Sequence, residues 1–173
     1  MAPIRNTVRY ANQRVGIFID VQNLYHSARN FYRGRVNYAE LIKNLVDGRE
    51  LIRSIAYVVK SDTATGESSF FDALTKAGME LRMKDLQIYA DGTKKADWDV
   101  GMAVDAIRMA ESLDAVILVT GDGDFIPLVD YLRWGKGTFV EVAAFGRSAS
   151  AKLQEVADKF TNIENIPKSI IRK

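Results

Sequence analysis

The chain has 173 residues, 47% of them apolar and 27% charged, with 24 basic side chains against 22 acidic ones and a formal net charge of +2. That length suits one domain with a substantial core, and the even charge balance neither requires nor forbids a nucleic-acid partner, because a basic rim around an acidic site cancels in the sum. The absence of cysteine excludes disulfides, thiolate zinc sites and cysteine nucleophiles.

The opening stretch MAPIRNTVRYANQR lacks the apolar middle of a signal peptide and reads as a polar leader over residues 1–14. No later apolar run approaches the roughly 20 residues that cross a bilayer, so a cytoplasmic protein without membrane contact is expected. The first strand is read over 15–20 (VGIFID), ending in Asp20, and a helix over 22–32 with Leu24, Ala28 and Phe31 at helical spacing and Arg29, Arg33 and Arg35 around its end. A second helix covers 38–46 and stops near Asp47-Gly48. A strand at 51–59 follows, then a polar connection, SDTATGESS, and a helix over 68–77 with Gly78 as its C-cap. Residues 79–90 alternate like a third strand, bent or interrupted on the way.

The stretch KKADWDVGMAVDAIRMAESLDA predicts a helix with Asp97 as its N-cap and Val100, Ala103, Val104, Ile107 and Ala110 as its apolar face. Ala115 to Val119 is a short, β-branched apolar run, the pattern of a strand buried on both faces. It breaks at Thr120-Gly121-Asp122-Gly123-Asp124 before a helix over 125–134. A strand at 138–145, a helix at about 149–160 and a tail over 164–173 complete the chain, leaving 15–163 as the domain. Strands alternating with helices predict an α/β fold: a mainly parallel sheet with helices on both faces, three layers in all.

Open sheets of this kind place ligands at the carboxyl ends of their strands. Asp20, Asp122 and Asp124 stand at two such ends, and the two glycines let the second turn close tightly. Carboxylates gathered so closely repel, and a hard dication removes the conflict; an oxygen-only donor set suits Mg²⁺ or Mn²⁺, not Zn²⁺. Asp97 and Asp99 lie at a helix start near the same edge, Asp99 the better candidate because capping accounts for Asp97. Asp105 points to another side and is held in reserve as a structural acid. Taken alone, Gly-Asp-Gly-Asp is as readily a simple turn; the second strand end and the acidic helix start tip the balance. No third small residue follows the Gly-x-Gly, which argues against a dinucleotide site.

Asn23 and Thr120 are candidates for holding a carboxylate or a phosphate, or for capping and strand termination only. Lys94, Lys95 and Arg147 are candidates for the substrate backbone, as are Arg29 and Arg33, with Ser148 beside Arg147; each has the plainer reading of a solvated charge. His26, the one histidine, reads as a helix-surface residue, and Trp98 and Trp134 as packing.

Three blocks, GIFIDVQNL (16–24), KKADWDVGMAVDAI (94–107) and VTGDGDF (119–125), resemble in order and separation the signature blocks of NYN domains, the LabA-like branch of the PIN-like nuclease superfamily. The resemblance spans residues 15 to about 146. It implies a PIN-like sheet in the order 3-2-1-4-5, and Mg²⁺ or Mn²⁺ held by Asp20, Asp99, Asp122 and Asp124 with Asn23 beside them. It also implies a metal-dependent ribonuclease, cutting a phosphodiester with metal-activated water. Single-stranded RNA is the expected partner, and a homo-oligomer is left open. The alternative is a catalytically inactive NYN domain that binds RNA or protein in regulation. A haloacid-dehalogenase-like phosphatase is disfavoured because Asp20-Val21-Gln22 lacks the Asp-x-Asp pair.

Overall fold

The computed structural model describes residues 11–60 and 67–172. Most of the expected leader and residues 61–66 of the expected polar connection lie outside them. In chain order the elements are β1 (Arg14–Asp20), α1 (Val21–Tyr32), β2 (Gly34–Val36), α2 (Tyr38–Val46), β3 (Glu50–Lys60), α3 (Glu67–Lys76), β4 (Glu80–Asp85), β5 (Gln87–Ile88), β6 (Lys94–Lys95), α4 (Asp99–Met109), β7 (Ala115–Val119), α5 (Ile126–Asp130), β8 (Phe139–Ala144), α6 (Ala151–Val156), β9 (Lys159–Asn162) and β10 (Ile170–Arg172). A 3₁₀ turn, Gly123–Phe125, leads into α5, and a π-helical turn, Tyr131–Gly135, prolongs it.

Six strands form the central sheet in the order β4-β3-β1-β7-β8-β9, every pairing parallel. The expected order of five strands is kept and extended by β9. That strand replaces the end of the helix expected over 149–160, which stops at Val156. Chain direction across the sheet reverses at β1, whose neighbours are β3 and β7. The crevice where such folds take ligands therefore opens at the carboxyl ends of β1 and β7. Their register pairs Ile19 with Val119, so Asp20 and Thr120 leave the sheet side by side.

Alternation along the buried strands divides the core in two. Val15, Ile17, Ile19, Ile117 and Val119 face one layer with Leu24 and Ala28 of α1, Leu41 and Leu45 of α2 and Leu74 of α3. Phe18, Val116, Leu118, Val140 and Val142 face the other, against Met102 and Ala106 of α4, Leu128 and Val129 of α5 and Leu153 of α6. This is the three-layer α/β architecture that the sequence pattern predicts. Toward the amino edge, Arg49 and Glu141 form a buried ion pair at 2.5 Å, with both side chains 1% exposed. Arg49 also donates to the carbonyls of Leu45 and Val46, so the end of α2 is tied across the sheet face to β8.

Two local expectations change and a third is made definite. The alternating stretch 79–90 is cut at Leu86 into β4 and β5, and β5 leaves the sheet to form a small antiparallel hairpin with β6. Helix α4 buries Met102, Asp105 and Ala106, while Val100 is 75% exposed and Val104 45%. Ala103, Ile107 and Ala110 of the expected face do pack on the core, but the helix is rotated part of the way because Asp105 accepts hydrogen bonds from the Tyr57 hydroxyl (2.8 Å) and Arg82 Nη1 (2.7 Å), which draws the acid inward. Residues 164–172 of the expected tail fold back. Ile166 and Ser169 are buried, the Ser169 carbonyl accepts from the Asn37 amide at 2.7 Å, and β10 pairs antiparallel with β2. No helix among the described residues is long and apolar enough to cross a membrane.

Candidate metal centre

Asp20 is the last residue of β1 and the N-cap of α1. Its Oδ1 accepts from the Asn23 amide at 3.3 Å, satisfying one of the free donors of the helix start, and its Oδ2 accepts from the Thr120 hydroxyl at 3.2 Å. Thr120 is fully buried, and its Oγ1 in turn accepts from the Asp122 amide at 3.2 Å. The Asn23 side chain reaches across to accept from the Gly121 amide at 2.9 Å. Thr120 and Asn23 thus clamp the end of β1 to the turn after β7. Within that turn, Asp122 caps the 3₁₀ segment by accepting from the Asp124 amide at 2.9 Å.

The two glycines serve this turn for a reason the dihedral argument misses. Neither takes a positive φ. A Cβ on Gly121 would stand 3.0 Å from the Ala149 Cα, and one on Gly123 would stand 3.1 Å from the Ser150 Oγ. The loop after β8 packs on the turn at these distances and donates the Ser150 amide to the Gly121 carbonyl at 2.9 Å.

Across the crevice, α4 begins with Asp99, whose amide donates to Asp97 Oδ1 at 3.3 Å. Trp98 anchors this entry. Its indole donates to the Val58 carbonyl at 2.8 Å, and the ammonium of Lys84 lies 4.4 Å from the ring centre. Lys84 also donates to the Asp97 carbonyl.

The result is one cluster. Carboxylate oxygens of Asp99, Asp122 and Asp124 lie within 4.8 Å of one another, the first two partly buried and the third exposed. Burial, followed by repulsion from Asp122, Asp20, Asp97 and Asp124, lifts the Asp99 carboxyl to about 6. Asp20 is also raised, mainly by burial; the Asn23 amide and Thr120 hydroxyl oppose the rise, and Asp122 and Asp97 add to it. Of the four expected acids, three therefore converge at metal-ligand spacing. Asp20 stands outside that trio yet close enough for its charge to act on Asp99. Asp97 is spent on the Asp99 amide, and Asp105 lies in the core.

The donor set fits a small hard cation. It is all carboxylate, the single histidine is exposed on α1, and there is no cysteine. Two oxygens on opposite sides of such an ion stand roughly 4–5 Å apart.

The expected substrate contacts are less uniform. Lys94 and Lys95 are exposed on the β5–β6 hairpin, and Lys95 lines a cavity of about 260 Å³ beside Asp97. Arg147 is engaged by Glu164 at 3.4 Å and lies 5.6 Å from the Tyr32 ring centre. Ser148 meets Ser27 at 2.8 Å between hydroxyl oxygens. Tyr38 was not singled out from the sequence, although Asn37-Tyr38 at a helix start puts it at the edge where Asp20 lies. Its buried phenol is pushed up by desolvation, with the charge of Asp20 adding to the rise.

The NYN domain family matches residues 14–164. Low amplitude and bright protein LabA of Synechococcus elongatus is 26% identical over 171 aligned positions, covering 92% of this chain and 88% of that protein. The crystal structure of a protein of unknown function from Vibrio parahaemolyticus is 31% identical. It covers 95% of this chain and 99% of its own, with a TM-score of 0.85.

Proposed function

Since this chain belongs to the NYN domain family, within the PIN-like nuclease superfamily, we propose that it is a Mg²⁺- or Mn²⁺-dependent ribonuclease acting on single-stranded RNA in the cytoplasm. The observation that carries this reading is the meeting of Asp99, Asp122 and Asp124 within 4.8 Å at the sheet's ligand crevice. Those three would hold the ion, with Asp20 beside them. When bound, such an ion supplies Lewis acidity and activates water for in-line attack on a phosphodiester.

The chain's own part is positioning. Thr120 and Asn23 fix the Asp20 carboxylate and the Asp122 amide before any ligand arrives, and Asp97 orients the start of α4 so that Asp99 faces the turn. Lys94, Lys95 and Arg147 would contact the phosphate backbone of the substrate. Arg147 must exchange its Glu164 contact to serve. No histidine or cysteine is available there as a proton acceptor, which leaves the carboxylates to steer protons.

Purified protein with Mn²⁺ is expected to shorten 5′-labelled single-stranded RNA, and Asp122→Asn to reduce the rate by at least about a hundredfold, as removal of a metal-holding carboxylate should. Equal inertness of wild type and Asp122→Asn, with RNA still bound by both, would show a regulatory RNA-binding domain in place of a nuclease.

A further inference from the structure

Away from the acids, two adjoining cavities of about 490 and 550 Å³ share Tyr25, Arg35 and Ile171 and make one groove along α1, β2 and the end of α3. Its cations are Arg29, Arg33, Arg35 and Lys76, and among the described residues no carboxylate lines it. For a chain whose net charge is only +2, that is a marked local excess. All four are exposed and, among the described residues, none is in an ion pair; Arg29 donates at 3.4 Å to the Tyr25 hydroxyl. Tyr25 stands where the two cavities join, 46% exposed, and Phe70 lines the same wall.

One wall of the groove is the helix that Asp20 caps. Tyr25 follows Asp20 by five residues on the same helix, about 7.5 Å along its axis, and Arg33 follows by 13, about 20 Å. Tyr38, at the start of α2, lines the groove as well.

We infer that this groove binds a single-stranded nucleic-acid segment leading to the acidic crevice, with phosphates on Arg29, Arg33, Arg35 and Lys76 and a base stacked on Tyr25. Cations on both flanks of an exposed ring are the elements of a sequence-tolerant single-strand site, since every base offers a π-face and every nucleotide a charge. A duplex hides the faces that the ring needs. The inference extends the nuclease reading and rests on it only for where the strand is cut.

The test uses full-length Asp122→Asn protein without metal and a fluorescein-labelled single-stranded 12-mer RNA, read by anisotropy. Arg33→Ala/Arg35→Ala is expected to weaken binding at least about tenfold. It should also lower the slope of log Kd against log salt by about 1.4, at about 0.7 per lost phosphate contact. Tyr25→Leu is expected to weaken binding about fivefold with the slope unchanged, and Arg108→Ala, on the exposed side of α4, to change nothing. The groove is refuted by wild-type affinity in the arginine pair, or by an equal loss in Arg108→Ala. Equal binding of a duplex of the same sequence, or displacement by polyglutamate as readily as by RNA, also refutes it. A wild type that fails to cleave while groove-dependent binding persists removes the nuclease reading alone. Cleavage with a groove-independent affinity removes the groove alone.

Discussion

Asp99 shows at the scale of one residue how the cluster trades stability for charge. Its carboxyl keeps its proton to about pH 6 in the folded chain, against an ordinary value of 3.8. Between those values the folded state binds more protons than the unfolded, so this group's contribution is full below about pH 4 and fades as pH rises through about 6. Without metal, Asp99→Asn should therefore be more stable than wild type at pH 7, by about 1 kcal/mol once solvent screening of a partly exposed group is discounted. That corresponds to roughly 2–4 °C in Tm. Below pH 4 the gap should close. Excess Mn²⁺ should reverse the ranking at pH 7, because binding to the folded state stabilises the wild type more. Thermal melts of both proteins across pH 3.5–7.5, with and without Mn²⁺, check each part; a gap that persists at pH 3.5 would assign the effect to packing instead of charge.

Among the elements, the Gly-Asp-Gly-Asp turn is held as much by the loop after β8 as by its own hydrogen bonds. Gly121→Ala drives a methyl against backbone at Ala149, whereas Gly123→Ala meets the Ser150 side chain, Oγ at 3.1 Å and Cβ at 3.2 Å. The expected cost is about 1–3 kcal/mol for Gly121→Ala and less for Gly123→Ala, measured by urea unfolding. If Gly123→Ala proves the costlier, this packing does not govern the turn. The same elements show what was legible in the chain. AVILV could be read as a buried strand because both its faces are apolar, and the acids at strand ends follow from that reading. The mixed and only half-buried KFTN offers no such period, so the expected helix runs on into the first half of β9. The face of α4 was misjudged because hydropathy counts Asp105 as outward, while two partners from distant strands turn it in. Of the basic groove the chain shows only the arginines at 29, 33 and 35; its walls come from α1, β2, α3 and residue 171, joined only when β10 returns to β2.

For the molecule as a whole, the reversal of chain direction at β1 makes the rigid middle of the sheet the floor of the crevice. The Arg49–Glu141 pair ties α2 to that floor from the far edge, and removing Glu141 would take the carboxylate partner from the buried Arg49 charge. The amides of Gly121, Asp122 and Asp124 are all consumed by Asn23, Thr120 and Asp122 across or within the turn. A mould set in advance has a kinetic signature. In deuterated buffer with a chelator those three amides should exchange slowly, and manganese should slow them little further; fast exchange that only the ion suppresses would mean a pocket shaped by its guest. If the mould is already set, little ordering entropy is left to lose on binding, and the calorimetric entropy change should be dominated by water released from the cation.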